Sequence, residues 1–474
     1  MLRRAGLTAV CTLIGACAVG PDYVKPQVET PDAFRFAQSD VADTANTDWW
    51  EQFDDPVLNA LIAEALAHNR SVKIAAANVE AAAALLTQAQ SQFFPQINYN
   101  VAANHQRASE SLNPALGKAL KNPAESYTTL AGASWEIDLW GRIRRESEAA
   151  QANLLASEQV RRGVILSLVA QVASGYLQLR ALDRQLEVSE RTLKAYGETL
   201  RLFELQHKYG VVSQMTVEQA RSSYETAAAQ IPQIVTQVAQ AENGLSILVG
   251  ANPRAIARGK ALEELALPQV PAGLPSQLLE RRPDVAQAEQ GLIAANAQIG
   301  AAKALYFPTI SLTGTYGNQS SALDELFSAP TRVWSAAAGV AGPIFAGGAI
   351  HAQVRGAEAA KEAALLQYEA VVQGAFADVD NALVARQELV KQVESQERLV
   401  KSLSEYERLA TLQYKGGYTP YSTVLQAQQS LFPQELTLAT SRFALLNSLV
   451  DLYKVTGGGW IDVAERMTGS AESP

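Results

Sequence analysis

The chain has only two cysteines in 474 residues, Cys11 and Cys17, both at its extreme start. No disulfide and no cysteine metal site is therefore available to the remaining residues. Four histidines, His68, His105, His207 and His351, are scattered without metal-ligand spacing. Aromatic residues are few, at 7%, while alanine is abundant. That composition suits helices in close approach more than a bulky globular core. Positive charge is also short: the net charge is −9 and no basic stripe appears, which argues against a nucleic-acid partner. Beyond the first residues no run of about 18 apolar residues occurs, so no membrane-spanning helix is predicted. GxSxG, P-loop, HExxH and paired-cysteine motifs are absent, and Gly457, Gly458 and Gly459 read as a helix terminator. No enzyme, cofactor or metal is expected.

What is present begins with an address. Arg3 and Arg4 precede a short apolar stretch from Ala5 to Ala16, too short to span a bilayer and fitting a secretory signal. The stretch closes as Leu13-Ile14-Gly15-Ala16-Cys17. Small residues before a cysteine suit a lipoprotein signal peptidase, with cleavage between Ala16 and Cys17 and a diacylglycerol on the Cys17 thiol. The alternative is an ordinary signal peptide with an incidental cysteine. Lipid adds about 0.8 kcal/mol per buried CH₂, so a multiply acylated Cys17 would hold the chain on a membrane. Ala18 stands where bacterial lipoproteins retained at the inner membrane often carry Asp, which favours the outer membrane.

The rest of the chain is duplicated. Phe94-Pro95-Gln96-Ile97 returns as Phe307-Pro308-Thr309-Ile310, and Tyr209-Gly210 returns near Gly416-Gly417-Tyr418. Two similar units are the better reading of such a repeat. Each reads helix, strand, loop, strand, very long helix, glycine turn, shorter helix. The first long pattern runs from about 142 to 206, with Ile165, Leu168, Val172, Tyr176, Leu179, Leu182 and Leu186 on one stripe. At 1.5 Å per residue that is a rod of roughly 100 Å. The second, about 349 to 412, carries Val393, Val400, Leu403, Tyr406 and Leu409. Gly210 ends the first rod and Ser213 can cap the next helix. Gly416-Gly417 ends the second, Thr419 can cap, and Pro420 takes the first helical position. The returning helices, about 214–249 and 421–455, are shorter than the rods. The pieces at about 56–93 and 276–306 are expected to cover the excess.

Four runs alternate with period two: about 96–102, 127–139, 309–317 and 332–345. Each has roughly the length of a transmembrane β-strand. Single-chain outer-membrane barrels need about eight strands or more, and an open sheet edge cannot face lipid. If these strands enter a membrane, several chains must share one barrel. The alternative is a pair of soluble hairpins.

In this order the motifs resemble the TolC-type outer-membrane factors, in their lipoprotein (OprM-like, NodT) branch. The resemblance rests on Cys17-Ala18-Val19-Gly20-Pro21-Asp22-Tyr23 with Pro26; on Trp49-Trp50 with Phe53, Asp55-Pro56 and Leu58; on Asp138-Leu139-Trp140-Gly141-Arg142; on Arg282-Pro283-Asp284-Val285 with Glu289; and on Gly342-Pro343-Ile344-Phe345 with Gly347-Gly348. It implies a mainly α fold with a small membrane β part. It implies a homotrimer with a 12-stranded β-barrel continued by a 12-helix periplasmic tunnel. The implied partners are a periplasmic adaptor and an inner-membrane pump, often of the resistance–nodulation–division class. The implied work is passive exit of drugs or other toxic solutes through the outer membrane.

The resemblance further implies a periplasmic gate just after the second glycine turn, here Tyr414, Tyr421, Thr423 and Gln426. Relatives often carry Asp at the places of Thr423 and Gln426, so this ring is neutral and weak block by multivalent cations is expected. Gly210, Val211, Ser213, Gly416, Gly417 and Thr419 form the hairpin tips, the implied adaptor contact. The expected organisation is a signal peptide at 1–16, an anchored segment at 17–48, repeats at 49–250 and 276–457, a linker at 251–275 in an equatorial belt, and a tail at 458–474. The rival functions are a duct for type I protein secretion or metal-ion efflux, and a lipid-anchored stalk.

Overall fold

The computed structural model describes residues 18–31, 34–36, 48–109, 122–266 and 279–457. Helices α1 (Pro56–His68) and α2 (Arg70–Ser91) precede strands β1 (Gln96–Gln106) and β2 (Ala124–Ile137). Then come α3 (Arg142–Lys208) and α4 (Gln214–Leu248). The second half repeats the order with α5 (Pro283–Ala304), β3 (Thr309–Ser320), β4 (Arg332–Ala341), α6 (Ala349–Lys415) and α7 (Tyr421–Val455). Both rods are 67 residues long, and both returning helices are 35.

The compact units are not the sequence repeats. One holds the residues up to Gln27, Asn78–Ser157 and Ala288–Tyr368; the other holds Val28–Ala77, Glu158–Gln287 and the chain from Glu369. Each draws on both halves: in the first, strands of the two repeats share one antiparallel sheet in the order β1-β2-β3-β4, and in the second, α3 and α7 share one apolar core. The joint between repeats is β2–β3, running from Tyr127↔Ser320 to Ile137↔Ile310. Strand β4 stops at Ala341, short of the expected 345, because Pro343 has no amide to donate.

In the sheet-bearing unit, α5 packs on the first turns of α3 through Ala294 and Ala297 against Ala149 and Ala152. The segment after residue 17 is fastened to this pair. Val19 N donates to the Trp140 carbonyl at 3.0 Å, and Asn296 Nδ2 donates to the Pro21 carbonyl at 2.9 Å. Asp22 pairs with Arg145 at 2.7 Å, and Tyr23 and Lys25 both reach Glu289. Gly20, at φ +111°, lies so close to Gly300 that a Cβ would stand 2.4 Å from its Cα.

The other unit holds the main apolar core. Trp49, Trp50, Phe53, Leu58 and Ile62 pack against Ile165, Val169, Val172 and Tyr176 of α3 and Leu446, Val450 and Tyr453 of α7. Helix α1 starts on Asp55, whose Oδ1 accepts from Val57 N at 2.9 Å, with Pro56 at the first helical position. The expected single piece at 56–93 is broken at Asn69. That side chain accepts from Ser71 N and Val72 N and donates to the Leu248 carbonyl, so it starts α2 and ties down the end of α4. One window of α3 is apolar enough to cross a membrane by length and composition, but 61% of it is buried within the chain.

Candidate conduction path

Register assigns each strand residue to one of two faces, since alternate side chains point to opposite sides. Tyr99 pairs with Ala131, Ala131 with Tyr316 and Tyr316 with Trp334. One face therefore carries Ile97, Tyr99, Val101, Trp135, Leu312, Tyr316, Trp334 and Val340. These are all of the large apolar strand residues that the lone chain leaves exposed. The opposite face carries Asn98, Asn100 and Asn104 of β1, Ser126, Thr128 and Ser134 of β2, Ser311, Thr313 and Thr315 of β3, and Ser335 of β4. Thr315 and Ser335 hydroxyls meet across strands at 2.7 Å. A sheet that is apolar on one side and hydroxyl- and amide-lined on the other separates lipid from water. At its base Trp140 stacks on Phe307 with ring centroids 4.6 Å apart and donates to the Pro308 carbonyl at 2.7 Å.

The far ends of the rods close alike. Gly210 (φ +73°) and Gly417 (φ +76°) supply the left-handed residue. Val211 N bonds the Gln206 carbonyl and Tyr418 N bonds the Gln413 carbonyl, each at 2.9 Å. Both are Schellman turns, which satisfy the last carbonyls of the helix. Ser213 caps α4 through its hydroxyl, accepting from Thr216 N at 3.3 Å. The expected Thr419 cap does not form. Pro420 is the N-cap, extended at ψ 158°, so α7 begins one residue later at Tyr421, and Thr419 Oγ1 is buried without a partner. Val211, Tyr209 and Tyr418 are exposed at these tips.

Of the gate candidates, two come together and two stand apart. Tyr414 and Tyr421 lie edge-to-face with centroids 5.6 Å apart, and Phe203 of α3 meets Tyr421 at 4.4 Å. The trio sits in a cluster with Leu200, Val217, Ala220, Val424 and Ala427, which joins the two hairpins. Burial, then the neighbouring Tyr414, pushes the Tyr421 hydroxyl up to about 12. Thr423 is half-buried and Gln426 exposed. The spacing puts Gln426 on the face of α7 opposite Tyr421, Val424 and Ala427, while Thr423, one turn before Ala427, sits at the edge of the packed face. Phe203 was missed in the sequence because its partners lie some 200 residues away.

Also missed was the fastening of the linker after residue 250. Buried Asp55 accepts from Tyr176 Oη at 2.8 Å and from Lys260 N at 3.0 Å, while Gly259 N donates to Tyr176 Oη at 2.9 Å. A Cβ at Gly259 would stand 2.1 Å from the Asp55 carboxylate. Burial, then the Asp55 bond, raises the Tyr176 hydroxyl. Arg258 pairs with Asp183 and Glu242, and Glu263 bridges Arg184 of α3 and Arg442 of α7. The Asp55-Pro56 pair was the available signal, an N-cap followed by proline. Ala16, Cys17, the tail at 458–474 and the belt beyond residue 266 lie outside the described residues.

With this geometry in hand, the family model for the outer membrane efflux protein matches residues 61–251 and 274–458. The chain belongs to the outer membrane efflux protein family. It is 35% identical over 463 residues to the probable efflux pump outer membrane protein TtgC of Pseudomonas putida, covering 96% of this chain and 95% of that one. It is 37% identical over 457 residues to the solvent efflux pump outer membrane protein SrpC of Pseudomonas putida, covering 94% and 96%. The solved outer-membrane channel OprN superposes with a TM-score of 0.87 at 29% identity, covering 94% of this chain and all of that one. As an outer membrane efflux protein it lies in the outer membrane and serves as the exit channel of an efflux system. The two segments matched by the family model each contain one hairpin of strands and one hairpin of long helices.

Proposed function

We propose that three copies of this chain close a single twelve-stranded barrel, continued by their helices as a periplasmic tunnel, and that this trimer is the passive exit duct of a tripartite efflux pump. The observation that carries the reading is a four-stranded sheet with two distinct faces and two open edges, β1 and β4. In lipid those edges must find partners, and four strands are about half of the smallest single-chain barrel. Three sheets in a ring pair every edge.

The apolar face then meets lipid and the hydroxyl and amide face meets water. Cys17 carries the lipid anchor, two residues before Val19, whose amide is bound to the Trp140 carbonyl. The hairpin tips, with Gly210, Val211, Ser213, Gly416, Gly417 and Thr419, meet a periplasmic adaptor protein that links them to an inner-membrane pump of the resistance–nodulation–division class. Tyr414 and Tyr421 hold the second hairpin against the first, and Thr423 and Gln426 line the narrowest ring. The cargo is small toxic solutes, in keeping with the solvents named for SrpC.

Planar-bilayer recording tests this directly. Purified protein is expected to give discrete ionic conductance steps that scale with trimer concentration. A lipid-anchored stalk conducts nothing, and that result would end the reading.

A further inference from the structure

Assigning side chains to the two faces of the sheet also assigns charge. The strands contain four ionisable residues other than tyrosine: His105, Glu125, Glu136 and Arg332. By register His105, Glu125 and Arg332 belong to the apolar face, near the loop ends of the strands, where His105 and Glu125 lie 3.3 Å apart. Glu136 alone falls on the hydroxyl and amide face. It stands at the base of β2, two of its oxygens bound by Arg142 at 3.2 and 2.9 Å, and Arg142 also holds Glu146. The wall above it is asparagine, glutamine, serine, threonine, glycine and alanine, with Leu130 and Val333, and none of these strand residues is charged.

We infer that the barrel section of this channel does not sort solutes by charge: it is an amide- and hydroxyl-lined conduit that passes uncharged, cationic and anionic small solutes alike. The inference rests on the trimeric barrel proposed above. Cation preference in a pore comes from rings of carboxylates whose field is focused by low-dielectric walls. Threefold repetition would turn any one charge on this face into such a ring. The face offers only Glu136, at its base, where it is paired with Arg142, the partner it shares with Glu146. Asparagine and serine supply both donors and acceptors, so they exchange hydrogen bonds with a solute of either sign or with water. Solutes as unlike as an aromatic solvent and an organic cation then meet the same wall.

The test uses full-length trimers in planar bilayers under a potassium chloride gradient, with the ratio of potassium to chloride permeability as the readout. Asn100→Asp places a carboxylate ring on the water-facing wall and is expected to raise that ratio several-fold. Glu136→Gln is expected to leave it unchanged. Should Asn100→Asp fail to assemble, Asn100→Cys treated with an anionic thiol reagent after insertion adds the same charge to a finished channel. Val101→Cys, on the lipid face, is the control expected not to respond; Cys11 and Cys17 are the only native cysteines. A several-fold fall in the ratio with Glu136→Gln, an Asn100 charge without effect in a conducting channel, or an equal response from Val101→Cys would each overturn the inference. Absence of conductance in the unmodified protein would instead defeat the channel reading itself.

Discussion

The two long helices have equal length and different surroundings. Helix α3 buries its apolar stripe within its own chain: Ile165, Val169, Val172, Tyr176 and Leu179 are fully enclosed. Helix α6 encloses Tyr368, Val372 and Val379 but leaves Leu366 and Leu399 in the open, whereas near the tips the two rods are alike, with Leu202 and Leu205 of α3 exposed as Leu409 and Leu412 of α6 are. A bare apolar stripe of that length is not stable in water. The same backbone unit therefore serves two tasks. The first hairpin is anchored in the chain's own core, and the second presents a face that, in the proposed trimer, a neighbouring copy covers.

The largest expected effect falls on the anchored side. Asp55→Ala leaves Lys260 N, Tyr176 Oη and the start of α1 without their buried acceptor. At roughly 1–3 kcal/mol for each orphaned group, the loss should be about 3 kcal/mol or more. Denaturant unfolding of the purified protein should show it as a large fall in midpoint. The midpoint should hold if the linker after residue 250 is tied down elsewhere.

Next comes the junction between the hairpins. Tyrosine in an unfolded chain ionises near 10, while Tyr421 is pushed up to about 12. A folded value raised above the unfolded one means that this contribution is complete below about pH 10 and is lost as pH rises through about 12. At about 1.4 kcal/mol per pH unit, the window is worth roughly 3 kcal/mol. Channel conductance recorded across that range should rise as the hairpins separate, and Tyr421→Phe should weaken the dependence, leaving the part due to Tyr414, whose hydroxyl burial also raises.

The two tips give a smaller and sharper contrast. Ser213→Ala removes a hydroxyl cap and should cost about 1 kcal/mol. Thr419→Ala removes a buried oxygen that has no partner, and should cost nothing or add slightly to stability. Equal losses at the two sites would mean that the tips are equivalent after all. Least costly to the fold is Gln426→Asp, on the exposed face of α7. Stability should not change, but multivalent cations should begin to block the channel, because a carboxylate ring replaces a neutral one. Block equal to that of the parent protein would remove Gln426 from the pore.

The parts of this fold that are legible in the sequence are those fixed by local chemistry. Glycines at 210 and 417 stop helices because only a left-handed residue completes the Schellman turn, and strands show because two unlike faces force alternation. Interruptions settled by distant partners are not legible. Asn69 breaks a helix because its side chain satisfies both α2 and the end of α4. Pro232 and Pro433 sit inside α4 and α7, which continue through them, with Thr236 and Thr437 bonding each proline carbonyl at 2.8 Å. Of the candidate gate, the two tyrosines were legible, but Phe203 was not, since nothing local links α3 to the second turn. The polar lining of the sheet needed the register, because alternation gives two faces without saying which residues of four strands share one.

The most direct test is the mass of the detergent-solubilised protein by native mass spectrometry, paired with exposure of Ile97, Tyr99 and Trp334 to a water-soluble label. A shared barrel requires a particle of three chains in which those side chains are shielded by detergent. A stable single chain whose Tyr99 and Trp334 react freely with the aqueous label contradicts it.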